Sequence, residues 1–374
     1  MKRYTIDGSD TLESQIGDIC VEIGREIKKI IPENRLQALA LAGGYGRGEG
    51  GVLRGQDGDQ PYNDLEFFLF IAGSPRLNER KFRSAIHDLE HRMTGKLGIE
   101  VEFKITSLEA LADGPTTMFS YDLLAGHRIF AGNEDALAAC LHHADPSRIP
   151  MHEATRLLMN RCSGLLFSKE RLERTEFTAE DADFVARNIA KAQLAIGDSL
   201  LAANGRYHWS CRERHLRLGQ IDVAGLPMDA VRTHHRDGVE FKLHPVKSAA
   251  TRESLDALHR DVCGIAWEIW RHIEGKRLGL VISTPSQYAN DGNKCPETSR
   301  AKNALIRLRA FGWRGWLLGR MFRYPRESLL NTLPMLLWEP QKTDFKWLSR
   351  QLARNVSGWS EAVAAYQNLW SRYN

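Results

Sequence analysis

Asp64 and Glu66 are the residues of this chain whose types and spacing invite chemistry. In the run Asn63-Asp64-Leu65-Glu66-Phe67-Phe68-Leu69-Phe70 they lie two apart, so on a strand they share one face while Leu65 and Phe67 take the other. Like charges placed side by side on a strand repel. A divalent cation resolves that conflict, and paired carboxylates at this spacing suit Mg²⁺ or a two-metal site. Upstream, the short apolar run 36–42 stops at Gly43-Gly44-Tyr45-Gly46-Arg47-Gly48-Glu49-Gly50, the pattern of a buried strand that delivers its end to a tight turn. Glycine there lets backbone N–H groups approach an anion closely. Arg47 can clamp phosphate oxygens in bidentate fashion, or brace the loop by pairing with Glu49 or Asp64. Further on, 99–105 alternates apolar and charged residues, a half-buried strand whose polar face carries Glu100 and Glu102.

Apolar strand, Gly-Gly, then an acidic-x-acidic strand resembles the signature of the DNA polymerase beta superfamily of nucleotidyltransferases. Residues 43–49 are similar in particular to the glycine motif of the bacterial uridylyltransferases that modify nitrogen-regulatory proteins. The resemblance covers a third of the chain at most. It implies an α+β fold, with a nucleotidyltransferase-type mixed sheet and flanking helices, followed by a mainly α-helical domain that closes the active site. It implies one or two Mg²⁺ ions held by Asp64, Glu66 and a third carboxylate that also takes the proton of the attacking hydroxyl, Glu102 in first place and Glu100 in second. It further implies that Gly43 and Gly44 cradle the triphosphate of a nucleoside triphosphate, and that a lysine on a helix of the second domain, Lys191, reaches back to it. Read as residues alone, Glu100 and Glu102 are also compatible with surface positions paired to Lys104, and Lys191 with an exposed helix lysine. Gly44 and Asp64 stand twenty positions apart, which makes 50–62 an insertion, expected to be flexible.

The implied reaction transfers a nucleoside monophosphate to an acceptor hydroxyl, on a protein side chain or a small molecule, and releases pyrophosphate. Two alternatives stay open: a nucleotide-binding regulator or scaffold that no longer catalyses, and a template-independent RNA-extending enzyme. The latter would use 300–326, which holds eight Lys or Arg and no acid, interleaved with Phe311, Trp313, Trp316, Phe322 and Tyr324. Such a mix binds phosphates and bases or an anionic membrane. It equally suits a helix that buries its aromatics while arginine stems reach out to water, the favoured reading.

The elements that must position these residues follow from periodicity. Helices are expected over 10–31, ended by Pro32, and over 78–97, stopped by Gly98. Thr106 with Glu109 is expected to cap a short helix, and 120–133 to be a helix end and a last strand. A break near Asp145-Pro146 divides a catalytic domain, 1–145, from a helical one, 146–374. There, helices are expected over 152–169, 179–203 with Thr178 and Asp181 as caps, 251–275, 302–323, 326–337 and 344–374. With 374 residues, 43% of them hydrophobic, the chain can bury a large core in two domains. No apolar run suits a membrane span or a signal peptide, so a cytoplasmic location is expected.

Competing motifs fail on context. Gly46-Arg47-Gly48-Glu49-Gly50-Gly51 matches a dinucleotide fingerprint, but a Rossmann turn passes into an amphipathic helix and 52–61 cannot form one. No Gly-Lys-Ser/Thr follows for a P-loop, and there is no Gly-x-Ser-x-Gly elbow. The six cysteines are far apart and read as buried thiols. His87 and His91 have zinc-chelating spacing without a completing cysteine or acid, and together with His142-His143 and His234-His235 they are read as surface histidines.

Overall fold

The computed structural model describes residues 3–317 and 321–373, with the side chains of 313–317 left aside. Its secondary structure is mixed, 63% helical with a small mixed sheet. The packing forms two compact units: Met1–Glu153 with Leu201–Ile221 and Arg236–Val246, and Ala154–Leu200 with Asp222–His235 and Lys247–Asn374.

The first unit is built on strands β1 (Leu36–Leu41), β4 (Leu65–Ile71), β5 (Val101–Thr106) and β6 (Arg128–Gly132), in the order β5-β4-β1-β6. β4 and β6 run antiparallel to β1, and β5 runs parallel to β4. Two helices, α1 (Asp10–Ile30) and α3 (Pro75–Leu97), carry apolar stripes. Ile16, Ile23, Ile27, Ile86, Leu89 and Met93 from these helices bury the sheet face that holds Leu39, Leu41, Phe67, Leu69 and Phe103. The opposite face is built differently. Ala38, Ala40 and Ala42 line it beside Phe68 and Phe70, and α5 (Met118–Ala125) and the 3₁₀ segment Ala136–Ala144 cover that part with Leu123 and Leu137. Glu66 and Glu102 belong to this second face.

The glycine turn is itself a single helical turn, α2 (Gly43–Arg47), closed by Gly48 at φ +82°. Residues 50–62, expected to be a flexible insertion, instead form a hairpin, β2 (Val52–Gly55) on β3 (Gly58–Pro61). The buried Tyr45 hydroxyl explains the difference. It donates to the Gly51 carbonyl at 2.8 Å and accepts from the Tyr62 N–H at 2.9 Å, clamping both ends of the hairpin, and the Gly51 N–H donates to Asn63 Oδ1 at 3.1 Å. The cap of α4 (Leu108–Ala112) is Ser107, which accepts from the Ala110 N–H at 3.2 Å, one residue later than expected.

Helices α6 (Met151–Leu172), α7 (Ala179–Ala203), α8 (Cys211–Leu218) and α9 (Met228–Leu243) follow. The last two are not among the helices expected from the sequence. Asp181 and Thr178 cap α7 reciprocally, as expected.

The second unit is helical. Its long helix Arg252–Leu278 carries a buried network in which Glu274 takes two Arg277 hydrogen bonds, at 2.6 and 2.7 Å, and one from the Tyr288 hydroxyl at 2.6 Å. The segment 344–374 is two helices, Phe345–Leu352 and Trp359–Tyr373, rather than one.

Several surface assignments are corrected by burial. His234 and His235 are buried, and each pairs with an acid of its own unit, Asp261 at 3.1 Å and Asp198 at 3.0 Å. His143 is buried between the Thr116 hydroxyl and the Leu111 carbonyl. These partners meet the imidazole's polar atoms, which lets it leave water. The basic tract also departs from its favoured reading: over 300–312, Arg307 is 1% exposed while Leu305 is 63% exposed, and Trp313 and Trp316 lie outside the described side chains. All six cysteines are free and buried. Among the described residues, no helix is long and apolar enough to cross a membrane.

Candidate functional site

Parallel pairing of β4 with β5 sets Glu66 directly opposite Glu102 and Phe68 opposite Lys104. Cross-strand partners share a face, so these two carboxylates stand side by side on the less covered side of the sheet. Asp64 lies just ahead of β4, two residues before Glu66. Gly43, at φ +63°, closes the third side: a Cβ there would stand 3.3 Å from Glu66 Oε2. Both the left-handed backbone and the near contact call for glycine.

Neither the Asp64 nor the Glu66 carboxylate has a hydrogen bond or salt bridge among the described residues, although both residues are half-buried. Burial pushes the Glu66 carboxyl up; Lys104 and Arg47 draw it down, Asp64 and Glu102 push it up, and the net result is raised. Two half-buried carboxylates without an ion-pair partner among the described residues are oxygen ligands of the kind a hard divalent cation takes. Glu102 is turned to the Lys104 ammonium, 3.4 Å away, with both side chains about half exposed. Accordingly, no three His, Cys, Asp or Glu side chains converge as a ready ligand set among the described residues. Glu100 is exposed and precedes β5.

Beside the acids lies a cationic cluster assembled from segments far apart in the sequence. Arg47 pairs with Asp122 of α5 at 3.1 Å. It packs over Gly126, where a Cβ would fall 2.3 Å from Arg47 Cγ. Tyr207 donates to the same Asp122 carboxylate at 3.3 Å. Arg214 of α8 is 3% exposed and donates to the His208 and Trp209 carbonyls at 2.8 and 3.0 Å. Lys242 of α9 lies 3.9 Å from Glu49. Glu49 itself caps α8, accepting from the Ser210 hydroxyl and, at 2.9 Å, from the Cys211 N–H.

Three cations thus face two carboxylates in a desolvated cluster. Burial raises the Asp122 carboxyl despite Arg47, Arg214 and Lys242. It lowers the Lys242 ammonium, and Arg47 and Arg214 lower it further. Lys242 Nζ, Arg47 Nε and Asp122 Oδ1 have no hydrogen-bond partner among the described residues. With more cations than carboxylates and two unused donors, Lys242 Nζ and Arg47 Nε, the cluster leaves buried positive charge uncompensated.

Lys191 is exposed on α7 in the second unit; within the first unit, Lys242 lies beside the glycine turn. No sequence signal marked Lys242, Arg214 or Asp122: each is an ordinary helix residue until the chain returns on itself at 201–221 and 236–246. No protein-family model and no curated protein matches this chain.

Proposed function

We propose that this protein is a Mg²⁺-dependent nucleotidyltransferase whose catalytic unit has a nucleotidyltransferase-type sheet. The observation that carries the reading is the pair Asp64 and Glu66, half-buried, mutually repelling and without an ion-pair partner among the described residues, at the end of a glycine turn lined by Arg47. The mixed sheet, with the glycine turn after β1 and the acids entering β4, supports it.

Asp64 and Glu66 hold the metal, with Glu102 as third carboxylate once it turns from Lys104. Mg²⁺, when bound, neutralises triphosphate charge and makes the α-phosphorus easier to attack. Gly43 and Gly44 leave room for the phosphates to approach the backbone. Arg47, Lys242 and Arg214 supply the charge that binds them and stabilises the departing pyrophosphate. Glu102 takes the proton of the acceptor hydroxyl as its oxygen bonds to the α-phosphorus and the bond to the bridging oxygen breaks. The acceptor is a hydroxyl of a protein side chain or of a small molecule.

The pairing of Glu102 with Lys104 favours a second reading, a nucleotide-binding regulator without catalysis. Purified protein incubated with each α-labelled nucleoside triphosphate and Mg²⁺, alone and with lysate fractions, separates the two. Label transfer by the wild type, reduced at least about a hundredfold in Asp64→Asn, supports transfer chemistry. Nucleotide binding without turnover supports the regulator, and absence of both binding and turnover removes both readings.

A further inference from the structure

We propose that His87 and His91 form a second cation site, for a borderline divalent ion of the zinc class, on the solvent face of α3. It does not depend on the nucleotidyltransferase reading. Spacing alone left this pair without a completing ligand. The structure adds an orienting acid between them.

His87 Nε2 and His91 Nε2 face each other at 3.0 Å, while His87 Nδ1 lies 3.0 Å from Glu90 Oε2. Glu90 is largely buried and fixed by its other oxygen, which accepts from the Phe103 N–H of β5 at 2.9 Å and from Arg83 at 3.3 Å. An ionised carboxylate only accepts, so His87 Nδ1 carries the proton in this pair. With Nδ1 protonated, His87 Nε2 accepts in the 3.0 Å contact and His91 Nε2–H donates, so a bound ion takes the place of that proton, which moves to His91 Nδ1 or to solvent. A carboxylate that sets the tautomer and basicity of an imidazole is the usual outer shell of a metal-bound histidine.

Ligand distances agree. Two Zn–N bonds of about 2.05 Å at a tetrahedral angle place the nitrogens about 3.3 Å apart, so the pair has to open by a few tenths of an ångström, and the rings, 4.3 Å apart between centroids, have to swing outward to aim both nitrogens at one ion. The His87 side chain, 55% exposed, is free to do so. Water completes the shell, since no third His, Cys, Asp or Glu joins it among the described residues. Imidazole nitrogens select zinc, copper or nickel over Mg²⁺, which separates this site chemically from Asp64 and Glu66.

Titration of the full chain with zinc chloride, followed by calorimetry, tests the proposal. The expected result is one Zn²⁺ per chain. Affinity should fall at least about tenfold in His87→Ala and in His91→Ala and stay unchanged in Asp64→Asn. Circular dichroism checks the folding of each variant. Cu²⁺ bound at one equivalent should show two nitrogen ligands by electron paramagnetic resonance, and fewer in either histidine variant. Absent binding to the wild type, equal binding by the histidine variants, or loss of the ion in Asp64→Asn instead would overturn it.

Discussion

Glu49 and Glu66 are both partly or fully buried carboxylates beside the same glycine turn, and their surroundings treat them in opposite ways. Burial pushes each one up. For Glu49 that push is outweighed by Lys242, the Ser210 hydroxyl, the Cys211 N–H and Arg214, and the carboxyl is held below its ordinary range. For Glu66 the compensation fails, and the carboxyl stays raised. A carboxylate with a complete set of partners is part of the framework, here the joint that ties α8 to the glycine turn. One whose side chain has no hydrogen-bond or ion-pair partner among the described residues, on a face that α1 and α3 do not cover, costs stability unless a ligand arrives.

The largest test of this contrast is Glu49→Ala, which strands Lys242 and frees the end of α8. Removing one member of a buried ion pair typically costs about 3–5 kcal/mol, and urea denaturation should show a loss of that size. A loss under about 1 kcal/mol would place Glu49 with the ordinary surface acids. Gly43→Ala should come next: forcing alanine to φ +63° costs about 1–2 kcal/mol, and the added methyl presses on the Glu66 carboxylate, so Mg²⁺ binding should weaken along with stability.

Glu66→Gln should move the other way, gaining on the order of 1 kcal/mol in the metal-free protein, the scale common when a functional conflict is relieved, while abolishing Mg²⁺ binding. The pH dependence carries the sign. With its folded value raised, Glu66 favours the fold below the unfolded carboxylate pKa, and that contribution is lost as pH rises through the folded value. The gain from glutamine should therefore be full near neutrality and vanish in mild acid. Glu49, held low, stabilises above the unfolded pKa and loses its contribution as pH falls through the folded value, so the penalty of Glu49→Gln should shrink on acidification. Thermal melts of both variants across this range would show divergent trends, and parallel trends would dissolve the comparison.

How much of this was legible in the sequence depended on whether the signal was local. The strand ending at Gly43-Gly44, the acidic pair and the alternating strand that carries Glu102 each announce themselves within a few residues, through periods and turn residues that physics ties to structure. The clamp by Tyr45 was not legible, since a tyrosine hydroxyl spanning Gly51 and Tyr62 is a tertiary fact, and its absence made a closed hairpin look like a loose insertion. Nor was the cationic cluster, whose Arg214 and Lys242 come from segments that join the first unit only after the chain has passed through part of the second. His234 and His235 illustrate the same limit: type and neighbours suggest surface, and only the distant Asp198 and Asp261 make burial affordable.

The smallest expected effect concerns whether Glu102 belongs with Glu66 or with the surface. Lys104 lies 3.4 Å from Glu102 and over the Phe68 ring at 5.5 Å, and it also draws the Glu66 carboxyl down. A pair this exposed is worth under about 1 kcal/mol, and the methionine stem in Lys104→Met can still cover Phe68, so stability should hardly change. Releasing Glu102 and removing a nearby positive charge should tighten Mg²⁺ by about two- to fivefold, the equivalent of that energy. The two causes separate in the double variant. If Glu102 is the third metal carboxylate, adding Glu102→Gln erases the gain and weakens binding below the wild type, because a ligand has been lost. If the gain survives Glu102→Gln, it came from the field of Lys104 alone, and Glu102 is a strand residue whose partner is that lysine.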